Sequence, residues 1–233
     1  MPIQTEQLSE RETASPNFTN AEKIHYPETV IEEIKYPSSD GEEMGETTIH
    51  YKLIHYLFGC LMSFLAARNN VFLGANLMLY YEQDNPRTYY VPDLMVAFGV
   101  DNKNRSSYRA WEEKQFPQIV IEVASENTYE NDLGKKRRDY ERLGVEEYYL
   151  LDPEGEFLPS KMMAFHRVDD RLKLISITEE RVFSPRLQLE FVNTNNEIRL
   201  FNQASNEFLR TLEEAETENA RLRAELAKLK QIN

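Results

Sequence analysis

Gln118-Ile119-Val120-Ile121-Glu122-Val123-Ala124-Ser125 is an almost continuous apolar run of strand length, broken at its middle by one carboxylate. Such a run marks a strand buried on both faces. Period-two alternation sets Val120, Glu122 and Ala124 on one face and Ile119, Ile121 and Val123 on the other. A carboxylate in that setting is unfavourable unless a cation or a donor meets it. Asp93, in Val91-Pro92-Asp93 at the head of the apolar Leu94-Met95-Val96-Ala97-Phe98, poses the same problem. Two buried acids on neighbouring strands repel each other, and one hard divalent cation relieves both. The alternative is two core acids, each met by an arginine or by backbone N–H groups.

Beyond this strand, Ser125 to Thr128 should cap a helix that ends before Gly144, a residue well placed for a C-terminal cap. Leu133, Lys136, Tyr140 and Leu143, spaced 3, 4 and 3, form one stripe of that helix. Three of them suit a core-facing stripe, so Lys136 is its charged exception. Lys135 falls with Asp139 and Arg142 on the solvated side, where charge pairing accounts for it. An inward lysine must snorkel or meet an acid, and Asp93 and Glu122 are the nearest by this topology. A structural pair with Asp132, one turn earlier, is the alternative. Glu147 to Leu151 reads as a third buried strand, joined to the first by a right-handed crossover between parallel neighbours.

The ordered set resembles the PD-(D/E)XK nuclease superfamily. The fuller string is similar to one branch of it, the bacterial putative restriction endonucleases of the Uma type. The matching pieces are Val91-Pro92-Asp93, Ile121-Glu122-Val123-Ala124-Ser125, Asp132-Leu133-Gly134-Lys135-Lys136, Tyr140 and Gly144-Val145-Glu146-Glu147-Tyr148, with Asp40 to His50 upstream. The resemblance spans roughly Tyr36 to Leu200. One position departs: the superfamily pattern has lysine where this chain has Ala124, and in the branch the lysine lies on the following helix, here Lys136.

The resemblance implies a restriction-endonuclease-like α/β fold, a central mixed β-sheet flanked by helices. It implies a site in which Asp93, Glu122 and the Val123 carbonyl hold Mg²⁺, with Mn²⁺ as substitute, and Lys136 is the catalytic lysine. Glu46, at the mouth of the first helix, would be a third catalytic carboxylate, although charge complementing the helix dipole explains it equally. His50 would touch phosphate or water, Asp132 would support the site, and Tyr140 would position Lys136.

Composition limits the alternatives. The chain has 233 residues, 41% hydrophobic and 29% charged, as in a soluble globular protein. Its net charge of −13 argues against a protein that coats DNA, but leaves room for a nuclease whose bound metal and local basic face meet phosphate. Cys60 is the single cysteine, so no intramolecular disulfide forms and a reducing, cytoplasmic setting is expected. The polar N-terminus has no signal-peptide core. Leu53 to Ala67 is too short to span a bilayer and reads as a buried helix with His55 in the core.

In chain order, residues 1–27 are polar and expected to be disordered, 28–203 form the nuclease-like domain, and 204–233 a C-terminal helix. A first helix is expected from Thr47 to Arg68, a long strand from Val71 to Tyr81, and its partner from Tyr90 to Phe98 across the turn at Gln83-Asp84-Asn85-Pro86-Arg87. The loop from Gly99 to Pro117 mixes Lys103, Arg105, Arg109 and Lys114 with Trp111. It is either a cradle for a nucleic-acid backbone or an ordinary solvated loop. Met162 to Val168 and Leu172 to Ile177 read as a hairpin around Asp169-Asp170, and Phe183 to Phe191 as a loop with a short edge strand. Phe208, Leu212, Ala215, Asn219, Leu222, Leu226 and Leu229 are spaced 4, 3, 4, 3, 4, 3, a heptad seam. That predicts a coiled coil and a parallel homodimer; a single solvated helix, or one packed back on the domain, is the alternative.

The function these features imply is a metal-dependent endonuclease hydrolysing phosphodiester bonds in DNA. Its rivals are a catalytically silent nuclease-fold protein that binds nucleic acid, and an interaction protein working through its coiled coil.

Overall fold

A computed structural model describes residues 34–39 and 47–232. Glu46 and the polar segment 1–27 lie outside the described residues. Two parallel strands, β6 (Ile119–Val123) and β7 (Glu147–Leu151), are buried along their whole length. With β1 (Val71–Ala75), β4 (Leu94–Phe98), β8 (Met162–Val168) and β9 (Arg171–Ile175) they make a mixed sheet in the order β1-β4-β6-β7-β8-β9. The remaining pairings are antiparallel.

The alternation read in the sequence divides two cores. Ile119, Ile121 and Val123 pack with Leu57 and Leu61 of α1 (Thr48–Leu65). Val120 and Ala124 pack with Tyr140, Tyr148 and Leu150 under α4 (Arg137–Leu143). Thr47 caps α1, its hydroxyl accepting from the His50 N–H. Gly144 ends α4 in the left-handed conformation, at φ 92°, where a side chain would be strained.

Several expectations change. The strand expected over Val71–Tyr81 stops at Ala75, because Asn76 turns to φ 46° and its N–H bonds back to the carbonyls of Pro92 and Asp93. Leu79–Tyr80 (β2) then joins β3 (Tyr89–Tyr90) and β5 (Tyr108–Arg109) in a separate small sheet. The loop 99–117 therefore carries a strand, and a short helix α2 (Ala110–Glu113) follows it. The helix expected after Ser125 is split into α3 (Tyr129–Asn131), a π-helical turn over Asp132–Lys136, and α4. His55 lies on the exposed face of α1, stacked on Tyr51, rather than in the core.

Phe183 to Phe191, read as a loop with a short edge strand, falls within a second antiparallel sheet: β10 (Arg181–Ser184), β11 (Leu189–Thr194), β12 (Glu197–Asn202) and β13 (Glu207–Phe208). Asn195 and Asn196 both have positive φ in the two-residue turn between β11 and β12, as a type I′ hairpin requires. Phe208 is thus a strand residue, paired with Phe201, and not the start of the heptad seam. The C-terminal helix α5 begins at Leu212 and runs to Ile232. Leu212, Leu222 and Leu226 on its seam are exposed. Among the described residues no helix is long and apolar enough to cross a membrane.

A shared apolar core joins the two larger sheets, and one buried acid hydrogen-bonds between them. Glu147, 2% exposed, accepts hydrogen bonds from the Tyr149 hydroxyl at 2.8 Å, the Arg186 N–H at 2.6 Å and the Ser184 hydroxyl. Removing the acceptor takes a partner from all three, and strands the buried Ser184 hydroxyl most of all, since the Tyr149 hydroxyl keeps its contact with His166 Nε2 at 3.2 Å. Glu147→Ala should lower the free energy of unfolding by about 3–5 kcal/mol, and Ser184→Ala by about 1–2 kcal/mol. Urea denaturation measures both, and similar small losses would mean that the acid does not couple the sheets.

Candidate active site

The pairing of β4 with β6 runs through Leu94↔Ile121, and the same register continued by one residue sets Asp93 opposite Glu122. The two residues grip each other. The Val123 N–H donates to Asp93 Oδ2 at 2.6 Å, and the Asp93 N–H approaches Glu122 Oε2 at 3.4 Å. In a strand the N–H and C=O of one residue face the same neighbour, so the Val123 carbonyl shares the side of Asp93. Both acids are buried, at 8% and 2% exposure.

The helical crossover delivers the rest. Lys136 Nζ lies 3.1 Å from Glu122 Oε1 and 2.8 Å from Asp132 Oδ1. Both Asp132 and Lys136 sit in the π-helical turn, an irregularity that recurs at functional sites. The Tyr140 hydroxyl donates to Glu122 Oε1 at 2.9 Å. Tyr140 therefore holds the acid directly, where the sequence reading had it holding the lysine. The Tyr148 hydroxyl donates to the Asp132 carbonyl at 3.1 Å. His50 Nε2, from the first turn of α1, is 3.7 Å from Asp93 Oδ1. The structure thus brings together Asp93, Glu122, Val123, Asp132, Lys136, Tyr140 and His50.

Two residues at the site were not singled out from the sequence. Tyr148 shares the Glu122 face because it pairs with Val120 across β6 and β7, a signal present in the strand alternation. Tyr90, whose ring packs on Tyr140 at 5.2 Å, comes from the small sheet that broken strand patterns concealed. Conversely, the arginines of the 99–117 loop do not form an open cradle. Arg105 is paired with Asp101 and Glu113 and lies over Phe72, while Arg109 is paired with Glu112 and lies over Tyr36.

Of the three buried acids, Glu122 and Asp132 touch the largely buried Lys136 ammonium. Burial, reinforced by Asp132 and Asp93 and opposed by Lys136, pushes the Glu122 carboxyl up to about 8. Burial raises Asp132 as well. Burial works against the charge on Lys136, but Glu122 and Asp132 outweigh it and hold the ammonium protonated. The cluster carries more negative charge than its lysine balances, and it retains a proton where a cation could stand. All its acidic donors are hard oxygens, the chemistry that Mg²⁺ and Mn²⁺ select. Among the described residues no three Asp, Glu, His or Cys side chains converge as a closed ligand set. Two carboxylates with the remaining positions left to water and phosphate is nonetheless the ordinary way Mg²⁺ is held, so the donor set fits.

A carboxyl raised in the folded state favours folding fully below its unfolded value and loses that contribution as pH rises through its folded value. In EDTA, stability should therefore fall between about pH 5 and 8, by at most about 1.4 kcal/mol per pH unit for one proton. Glu122→Gln should flatten this slope. Urea midpoints across that range test it, and an unchanged slope in the variant would place the proton elsewhere.

A crystal structure of a putative nuclease belonging to DUF820, from Anabaena variabilis ATCC 29413, is similar at 14% identity and a TM-score of 0.45, covering 63% of this chain and 77% of that one. No curated protein matches. The model of the family described as Uma2, putative restriction endonuclease, matches residues 21–197. With three quarters of its length inside that match, the chain belongs to the Uma2 family.

Proposed function

We propose that this protein is a Mg²⁺-dependent endonuclease that hydrolyses phosphodiester bonds in DNA. The observation that carries the reading is the contact of the Lys136 ammonium with Glu122, directly across the sheet from Asp93. Asp93, Glu122 and the Val123 carbonyl would hold the ion, and Mn²⁺ could replace it. When bound, such an ion supplies a polarised water and neutralises phosphate charge.

The chain's own residues account for the remainder. Lys136, kept charged by two acids, sits where it can offset the charge that builds on the non-bridging oxygens as water adds and one ester P–O bond breaks. Asp132 fixes its direction. Tyr140 fixes Glu122, and the Val123 N–H fixes Asp93. His50 is close enough to Asp93 to orient it or a water beside it. Glu46, which precedes α1 in the sequence, stays in the proposal as a further carboxylate.

Nicking of supercoiled plasmid in Mg²⁺ or Mn²⁺ tests the reading. Lys136→Ala should lower kcat by about 10²–10³-fold while Mg²⁺ still raises the melting temperature. Asp93→Asn combined with Glu122→Gln should abolish both cleavage and that metal-dependent shift. Lys135→Ala should keep kcat at saturation and weaken DNA affinity in a salt-dependent way. Normal cutting by Lys136→Ala would overturn the model. Binding without cutting by the wild type would leave a silent nuclease-fold binder.

The exposed seam of α5 supports a second part of the proposal, a parallel homodimer through Ala215, Asn219, Leu222 and Leu226. Because Glu207–Phe208 belongs to the second sheet, a truncation that removes only the seam should end at Arg210. Sedimentation should show a dimer for the full chain and a monomer for the truncated one, and identical stoichiometry would exclude α5 as the dimer element.

A further inference from the structure

The phosphate-binding capacity that a long duplex demands is poorly represented on this chain. Duplex DNA presents a negative charge about every 1.7 Å, and affinity for it comes from neutralising many phosphates. The protein carries −13, and Arg105, Arg109 and Arg142 each face an acid of the same surface. What adjoins the active site instead is a stack of aromatic rings.

The stack starts at Glu122. Tyr140 donates to that acid and packs against Tyr90 at 5.2 Å, and Tyr90 stacks on Tyr81 at 5.3 Å with only 19° between the planes. Tyr90 is buried, whereas Tyr81 is half-buried at the outer end. Among the described residues no ring other than Tyr90 stacks on Tyr81. A cation stands beside it. Lys135 Nζ is 5.1 Å from the centre of the Tyr90 ring and 3.0 Å from its hydroxyl, with the side chain 64% exposed. Its pair with Asp139 at 3.7 Å is long and solvated, too weak to withhold it from a phosphate. Consecutive lysines thus serve two places, Lys136 the acids and Lys135 the rim.

A flat ring backed by a second ring, with an ammonium beside it, is how sequence-tolerant proteins hold single strands: the base stacks and the cation follows the backbone. A base inside a continuous duplex has both faces covered by its neighbours and cannot use such a surface. We propose that Tyr81 receives an unpaired nucleobase and Lys135 the adjoining phosphate, so that the site takes single-stranded or locally unpaired DNA in preference to continuous duplex. The inference rests on the nuclease reading of the neighbouring acids only for its consequence. The stacking surface stands by itself.

The test uses the full chain, in EDTA so that nothing is hydrolysed. A labelled single strand of about 12 nucleotides is compared with a blunt duplex of the same sequence by fluorescence anisotropy. The single strand should bind at least about tenfold more tightly. Tyr81→Ala should weaken it by about 5- to 150-fold and leave duplex binding as it was, while Tyr81→Phe should bind like the wild type. A 2-aminopurine base in the strand should be quenched by the wild type and by Tyr81→Phe but not by Tyr81→Ala, a signal that a purely structural tyrosine would not give. If Tyr81→Ala fails to fold, Lys135→Gln provides the second arm, with weaker single-strand binding and a salt dependence reduced by about one phosphate contact. Duplex binding equal to or tighter than single-strand binding, or undiminished binding and quenching by Tyr81→Ala, overturns the inference. Lys136-dependent nicking together with either of those results would leave the nuclease reading intact. Tyr81-dependent binding without cleavage in Mg²⁺ would do the reverse.

Discussion

The antiparallel register of β4 on β6 is the constraint on which the site depends. It places Asp93 across from Glu122 inside a sheet covered on both faces. Their mutual repulsion is tolerated because each acid is hydrogen-bonded by the backbone or side chain of a neighbour and because Lys136 enters from the crossover. Slipping that register by one residue would turn Glu122 to the α1 face and dissolve the cluster. The backbone pairing is thus as much a part of the site as the carboxylates are.

The opposite end of β7 shows what a buried acid looks like when its surroundings meet its needs. Glu147 has three hydrogen-bond donors and links the two larger sheets. Glu122, near the other end of the parallel pair, is left with a raised affinity for a proton. Both acids have donors; what sets Glu122 apart is the company of Asp93 and Asp132 in the same buried cluster.

Much of this was legible in the sequence because burial leaves a clear periodic trace. The alternation along Ile119–Val123 gave the facing of Glu122, and the stripe of Leu133, Lys136, Tyr140 and Leu143 picked the inward lysine over its neighbour. Gly144 marked the helix end correctly. Features built from two-residue strands were lost, since Leu79–Tyr80, Tyr89–Tyr90 and Tyr108–Arg109 are too short for any period to show. The second sheet could have been read from Asn195-Asn196, a strong hairpin turn between apolar runs, but Pro185 and the surrounding polar residues suggested a loop. His55 was misplaced because an apolar helix still turns one stripe to solvent, and neighbouring Leu residues do not say which. The π-helical turn had no signal in composition, since its identity lies in hydrogen-bond spacing.

That turn divides the site between two kinds of material. Asp93 and Glu122 are held by strands paired on both sides, whereas Asp132 and the ammonium ride on a single irregular turn whose backbone has an ordinary α-helical form available to it. Successive residues of an α-helix are about 100° apart around its axis. Tightening the turn by one residue would rotate Lys136 relative to one flank by roughly that angle and leave Asp93 and Glu122 where they are. In evolutionary terms, a one-residue deletion in this segment would part Lys136 from Glu122 in a single step, with the sheet, Asp93 and Glu122 preserved.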